Sequence, residues 1–313
     1  MTIVNKLMVI LCLGYLSISF GYAQGLKLID VVVESPNLSK LFLSREAKVS
    51  VEEYPLAEQL KLLLQKSEYH SALTLLSEYE GTKSPALLLV EGQLFMQTKQ
   101  WQQAESRFKQ ALLEMPDLTR GHLALSTLYH RQQDYKKAQT SLSKAISLGA
   151  TDANQYALLG YLHMQNNDPH SAVAAYQYAL MLNAENDDIR KGLLFALINS
   201  HQINAARNLL AGMLTHEPDN SQLWLQRTNL AMQASDEIVA LSSIEAALRL
   251  GEQGPSTRIL AMQLHLKQKS YARALMLSIG LLDDRQLNFT ETDKLLAWLV
   301  RENQWSNAQQ ILD

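Results

Sequence analysis

Residues 94–116 read LFMQTKQWQQAESRFKQALLEMP, and residues 128–150 read LYHRQQDYKKAQTSLSKAISLGA. The two stretches agree in kind: an aromatic residue, a polar stretch, a second aromatic residue, and then an alanine followed seven positions later by another alanine. They lie 34 residues apart in the chain. A fixed offset of this size predicts that one structural unit occurs several times.

The same period extends along most of the chain. The first alanine of the pattern recurs at intervals of 34 residues, at Ala104, Ala138, Ala172, Ala206, Ala240, Ala274 and Ala308. A second small or apolar residue follows seven positions after most of them, at Ala111, Ala145, Ala179, Met213, Ala247 and Leu281. Apolar residues spaced by three, four and seven predict two amphipathic helices in each repeat, and the alanines mark where helices cross closely.

The first half of each repeat completes a known pattern. Leu159, Gly160 and His163 stand where other repeats have Leu125, Ser126 and Tyr129, and Pro116 and Pro218 close two of the repeats. Together these positions follow W-x2-L-G-x2-Y, A-x3-F and P, and the chain therefore resembles the tetratricopeptide repeat family. The expected repeats are 53–84, 85–118, 119–152, 153–186, 187–220, 221–254, 255–288 and 289–313.

The resemblance implies a fold and a mode of action. It implies an all-α, right-handed superhelical solenoid of about eight helix-turn-helix repeats over residues 53–313, with an extended concave surface that binds other proteins. In this family the residues of each first helix that packing does not dictate line the groove. The expected groove residues here, rich in amide, Met and aromatic side chains, are Gln97, Arg131, Tyr161, Met164, Phe195, Asn199 and Asn229.

One specialised ligand class is not expected at this groove. Members of the family that clamp the acidic C-terminus of chaperones use Lys and Asn at set groove positions. This chain has Lys191 at one such position but Phe195 where Asn is needed. An acidic C-terminal peptide is therefore not the predicted ligand.

The N-terminal residues resemble an export signal. Residues 1–23 combine Lys6, an apolar run from Leu7, and the small residues Gly21 and Ala23 before a plausible cleavage site. The alternative is an uncleaved inner-membrane anchor through residues 7–22. Export predicts a periplasmic protein. Residues 24–52 lie outside the repeats, and residues 26–33 are expected either to pack against the first repeats or to act as a docking peptide.

Composition and motifs exclude several functions. The net charge of -3 gives no basic footprint for nucleic acid, and the only cysteine, Cys12, lies in the signal segment. No phosphate loop, nucleophile elbow or metal-ligand spacing occurs, so the sequence predicts no enzyme activity, catalytic residue, cofactor, metal or small-molecule substrate.

The remaining classes are interaction proteins. The sequence favours a scaffold or accessory subunit of a cell-envelope complex, such as pilus assembly, secretion, polysaccharide export or TonB-type energy transduction, with one or more envelope proteins as partners. The alternative is a periplasmic holdase that binds extended peptides in the groove. Broad client binding would favour the holdase, and a single stoichiometric partner would favour the scaffold. The oligomeric state stays open.

Overall fold

The computed structural model describes residues 47–283, 289–301 and 303–312. These residues form α-helices joined by short turns, with no strand among them. The contacts divide the chain into two compact units, one ending at Ser200 and the other beginning at His201. The expected signal or anchor and residues 26–33 lie outside the described residues. No helix of the described part is both long and apolar enough to cross a membrane.

The unit that ends at Ser200 contains nine helices after a short 3-10 turn at Val51–Glu53. In chain order the helices are α1 Tyr54–Gln65, α2 Tyr69–Ser77, α3 Pro85–Gln97, α4 Trp101–Glu114, α5 Thr119–Arg131, α6 Tyr135–Ser147, α7 Ala153–Gln165, α8 Pro169–Leu182 and α9 Asp187–Asn199. Each helix contacts the next one along the chain, and the first helices of neighbouring pairs also touch, α3 with α5 and α7 with α9.

The unit that begins at His201 contains seven helices among its described residues. They are α10 Ile203–His216, α11 Ser221–Gln233, α12 Glu237–Arg249, α13 Pro255–Lys267, α14 Tyr271–Asp283, α15 Phe289–Arg301 and α16 Trp305–Leu312. Helices α10 to α14 contact one another in sequence, α15 packs on α16, and α16 also reaches α14. In both units the helices pack consecutively, which confirms the prediction of an all-α repeat fold.

The small-residue column lies where the helices cross. Ala104, Ala138 and Ala172 are fully buried in the first unit, as are Ala240 and Ala274 in the second. Glycine takes over this function where a large ring needs space. A Cβ atom added at Gly92 would lie 2.4 Å from Cε1 of Phe108, so this glycine lets the Phe108 ring pack directly on the α3 backbone.

The turn inside each helix pair repeats with the same geometry. One residue per turn adopts a left-handed backbone, and these residues are Ser67, Lys99, Gln133, Asn167, His201, Ser235, Lys269 and Asn303. At Gln133, its own amide bonds to His130 O at 3.0 Å, and the Asp134 amide bonds to Tyr129 O at 2.9 Å. This is the hydrogen-bond pattern of a Schellman helix terminus, in which glycine is the usual left-handed residue.

Substituting Gln133 by glycine should therefore stabilise the protein. A side chain in the left-handed region costs about 1–2 kcal/mol, and the extra entropy of glycine in the unfolded chain offsets roughly half of this. We expect a gain of about 0.5–1 kcal/mol, measured as the shift of the chemical unfolding midpoint. Asn167→Gly should gain less, because asparagine tolerates this conformation better than glutamine. Equal gains at both positions would contradict the explanation.

A second repeating contact holds the loop before the first helix. His122 Nε2 lies 3.0 Å from Pro116 O, Arg190 Nη2 donates to Ala184 O at 2.7 Å, and Trp224 Nε1 donates to Pro218 O at 2.7 Å. In each case the carbonyl lies six residues before the side chain. We call this set of contacts the loop staple. Three chemically different side chains thus fix equivalent loops.

Candidate partner-binding surface

Six of the seven groove residues expected from the sequence lie on first helices of the unit that ends at Ser200. We call these six the first-helix surface: Gln97 on α3, Arg131 on α5, Tyr161 and Met164 on α7, and Phe195 and Asn199 on α9. The seventh, Asn229, lies on α11 of the other unit and is half-buried. The first-helix surface therefore belongs to one unit, and Asn229 is considered apart from it.

The members of the first-helix surface differ in exposure. Gln97, Arg131 and Asn199 are exposed near the C-terminal ends of their helices, and Tyr161 and Met164 are half-buried. Phe195 is 47% exposed, an unusual state for a phenylalanine on a helix whose other large apolar residues are mostly buried. Their role in binding stays a prediction.

Tyr161 belongs to an aromatic cluster. Its ring meets His130 edge-on with centroids 5.4 Å apart, and it meets Tyr135 edge-on at 6.2 Å. His130 and Tyr135 are themselves 6.2 Å apart. Edge-to-face geometry of this kind adds attraction beyond simple burial, so the three rings hold one another in place. The sequence indicated only a packing role for Tyr135, and its contact with Tyr161 was not foreseen.

The environment of this cluster changes the acidity of its members. Burial, together with the neighbouring Tyr135 hydroxyl, raises the pKa of Tyr161 to about 12. Burial lowers the pKa of His130, and the positive charge of Arg131 acts in the same direction. Both side chains are therefore neutral at pH 7, and Arg131 supplies a positive charge beside them.

Phe195 and Asn199 are fixed relative to each other. Asn199 Nδ2 donates a hydrogen bond to Phe195 O at 2.8 Å, one helical turn back. The amide oxygen of Asn199 remains directed away from this contact as an acceptor. An exposed ring and an exposed amide thus occupy the same end of α9.

Polar bonds between neighbouring repeats position these helices. Tyr129 Oη on α5 donates to Glu105 Oε1 on α4 at 2.8 Å. At the equivalent place one repeat later, Gln139 Nε2 on α6 lies 3.3 Å from His163 Nδ1 on α7. His163 Nδ1 also lies 3.2 Å from Asp168 Oδ2, the residue that caps α8. These bonds fix the register of each first helix against the preceding second helix.

The described residues hold no group of three or more His, Cys, Asp or Glu side chains arranged to bind a metal ion. Isolated pairs such as His163 and Asp168 are accounted for by helix capping and by bonds between repeats.

Comparison with known families agrees with the packing described above. A model of the tetratricopeptide repeat family matches residues 95–160 and 163–230. The chain carries tetratricopeptide repeats. The matched segments include the Ala104, Ala138 and Ala172 crossings and the whole aromatic cluster.

Solved tetratricopeptide proteins have similar structures at low sequence identity. YrrB, described as a protein with an unusual peptide-binding site, is 16% identical with a TM-score of 0.52 over 64% of this chain and 97% of its own. A tetratricopeptide protein from Parabacteroides merdae is 17% identical with a TM-score of 0.49 over 79% of this chain and 98% of its own. The type IV pilus biogenesis factor PilW is 16% identical with a TM-score of 0.46 over 67% and 98%. The similarity to YrrB supports the fold alone.

No curated protein sequence matches the chain.

Proposed function

We propose that this protein is a non-catalytic scaffold that binds another protein through the first-helix surface. The observation that carries the proposal is Phe195, which leaves 47% of an apolar ring exposed beside the exposed Asn199 amide. Tetratricopeptide arrays present extended surfaces to protein partners. Protein interfaces depend on a few aromatic and arginine anchors, and Phe195, Tyr161 and Arg131 are residues of that kind.

The charge of the surface narrows the chemistry of the partner. Helices α5 and α7 carry no Asp or Glu, whereas Arg131 adds a positive charge at the end of α5. A partner segment with an apolar side chain for Phe195 and a carboxylate or carbonyl for Arg131 suits this surface. The amides of Gln97 and Asn199 can bond to the backbone of such a segment.

We further propose that the partner is a cell-envelope protein and that the scaffold works in the periplasm. The support for this step is the signal-like sequence of residues 1–23, with inner-membrane anchoring through residues 7–22 as the alternative. The particular envelope process is left to the partner to identify.

Cross-linking in cells, followed by identification of the captured protein, tests the proposal. Arg131→Ala combined with Phe195→Ala should reduce capture of the main partner at least tenfold, because both anchors are removed from the surface. Leu113→Ala is the matched control, since Leu113 is a large apolar residue, 82% exposed, on the second helix α4. It should change capture less than twofold.

Circular dichroism must show that both variants remain folded. Undiminished capture by the double variant, or an equal loss in Leu113→Ala, would contradict the assignment of this surface.

A holdase is the second candidate. Met164 lies half-buried on α7 among amide side chains. Methionine adapts to many apolar partners, which suits a surface for unfolded segments. Capture of many unrelated proteins with weak dependence on Arg131 would favour this function, and one stoichiometric partner would exclude it.

A further inference from the structure

The chain segment before α1 is fixed by a buried carboxylate. Glu53 is fully buried, and its Oε2 accepts from the Ser50 amide at 2.8 Å while its Oε1 accepts from the Ser84 amide at 2.6 Å. Burial opposes ionisation, yet the hydrogen bonds from Ser84 and Ser50 hold the pKa of Glu53 below its usual value. Ser84 also caps α3 by accepting from the Leu87 amide. Glu53 therefore ties residues 50–53 to the first turn of α3.

Three residues earlier, the chain leaves the first helix pair. The first pair has its own apolar cluster with Leu56, Leu60, Ala72 and Leu76. Ala47 packs instead against the next cluster, which α3 to α7 form and which includes Leu89 and Met96. The extended backbone at Ser50 places Ala47 within about 11 Å of that residue, next to the start of α3. The chain that precedes Ala47 is thus directed onto the second and third repeats.

We propose that residues 26–33 of the same chain dock on the first-helix side of α3 and α5. This segment reads LKLIDVVV, with six apolar residues out of eight, and an apolar segment of this kind needs cover. The inner positions of α3 carry the apolar Leu89 and Met96, and Arg131 at the end of α5 offers a positive charge for Asp30.

The connecting length allows this placement. Fourteen residues separate Val33 from Ala47 and can span up to about 50 Å. Neighbouring first helices lie roughly 10 Å apart, so the segment can reach α3 and α5 without strain.

Docking at this place would regulate partner binding, a consequence that rests on the proposed function. Residues 26–33 would cover Gln97 and Arg131, and a partner would have to displace them. The apparent affinity of the partner would then fall by the fraction of chains in which the surface is free.

Cysteine cross-linking in the full chain tests the docking itself. With Cys12→Ser, the chain has no other cysteine. Val31→Cys is paired with Gln97→Cys on α3, or with Gln103→Cys on α4 as the control, because both glutamines are exposed. A short bis-maleimide should link the Gln97 pair within one chain at least tenfold faster than the Gln103 pair. Equal rates, or links between chains only, would overturn the proposal.

A binding measurement tests the competition. The probe is a fluorescent synthetic peptide of residues 24–36. It should bind the Val31→Asp and Val33→Asp double variant at least tenfold more tightly than the unaltered chain, because the variant no longer covers its own surface. Val51→Asp, at a position 71% exposed and outside the segment, should bind the probe like the unaltered chain. Equal binding by all three would overturn the competition.

The two hypotheses fail separately. Loss of partner capture in the Arg131 and Phe195 variant without the Gln97 cross-link would leave the proposed function standing and overturn the docking. A specific Gln97 cross-link with unchanged partner capture would support the docking and contradict the proposed function.

Discussion

Replacing Tyr176 by alanine should lower the free energy of unfolding by about 3–5 kcal/mol, as expected for removal of a buried aromatic ring. Tyr176 on α8 is 5% exposed, and its ring lies against two glycines on the neighbouring first helices. A Cβ atom at Gly160 would come within 2.8 Å of this ring, and one at Gly192 within 2.6 Å. The ring therefore fills the space between α7 and α9, and alanine would leave a cavity there.

Tyr178 on the same helix provides the control. It is 43% exposed and packs on Tyr156 with ring centroids 4.2 Å apart. Tyr178→Ala should cost about 1 kcal/mol, the usual value for an exposed aromatic pair. Chemical unfolding of both variants, with the slope of the transition compared to that of the unaltered protein, measures the difference. Similar losses for Tyr176→Ala and Tyr178→Ala would show that the phase of α8 is wrong.

Substituting Glu245 by leucine should destabilise the unit that begins at His201 by about 2–3 kcal/mol. Glu245 on α12 accepts from His265 Nε2 on α13 at 2.8 Å and from Arg273 on α14 through two bonds of 3.0 Å. Breaking a fully buried pair costs about 3–5 kcal/mol, and the partial exposure of Arg273 reduces that value. Leucine would leave His265, which is 7% exposed, and Arg273 without their acceptor.

Glu237→Leu is the matched substitution on the same helix. Glu237 Oε1 bonds to Lys267 Nζ at 2.6 Å, but both side chains are more than a third exposed. An exposed ion pair contributes less than about 1 kcal/mol. Thermal unfolding should therefore separate the two variants clearly, and equal losses would show that the Glu245 contacts do not stabilise the packing of α12 to α14.

The Glu245 effect should depend on pH in a defined direction. Burial opposes ionisation, yet the hydrogen bonds from Arg273 and His265 hold the pKa of Glu245 below its usual value. The pKa in the folded state is thus lower than the unfolded value of about 4.3. The ionised carboxylate stabilises the fold fully at neutral pH, and this contribution is lost as the pH falls through the folded pKa. The difference between the unaltered protein and Glu245→Leu should therefore shrink below about pH 4.

The sequence predicted the packing of the repeats well. Ala104 and Ala138 are fully buried because only a small residue fits where two helices cross, and that requirement recurs at a fixed period. The period is visible without knowledge of any other chain. Helix type and pairing follow from it, since an amphipathic helix of this length must bury its apolar side against a neighbour.

The surface could be predicted only in outline. The sequence placed Tyr161 and Phe195 on first helices, but their states differ: His130 and Tyr135 pack on the Tyr161 ring, while Phe195 stays half exposed. Tyr135 comes from the second helix of the preceding repeat, and the repeat period does not reveal which side chains meet across repeats. The Glu245 contacts were also missed, because they join residues 20 and 28 positions apart and do not follow the period.

The loop staple has a consequence for how such a chain can diverge. Imidazole, guanidinium and indole nitrogens all reach the same carbonyl in His122, Arg190 and Trp224. Each residue type satisfies the loop, so mutation at this column can pass from one to another without a poorly folded intermediate in between. At Tyr156 the column instead carries a ring that stacks on Tyr178. The geometry of the loop can thus be inherited while the residue that maintains it drifts, and a position that varies in this way is still under structural selection.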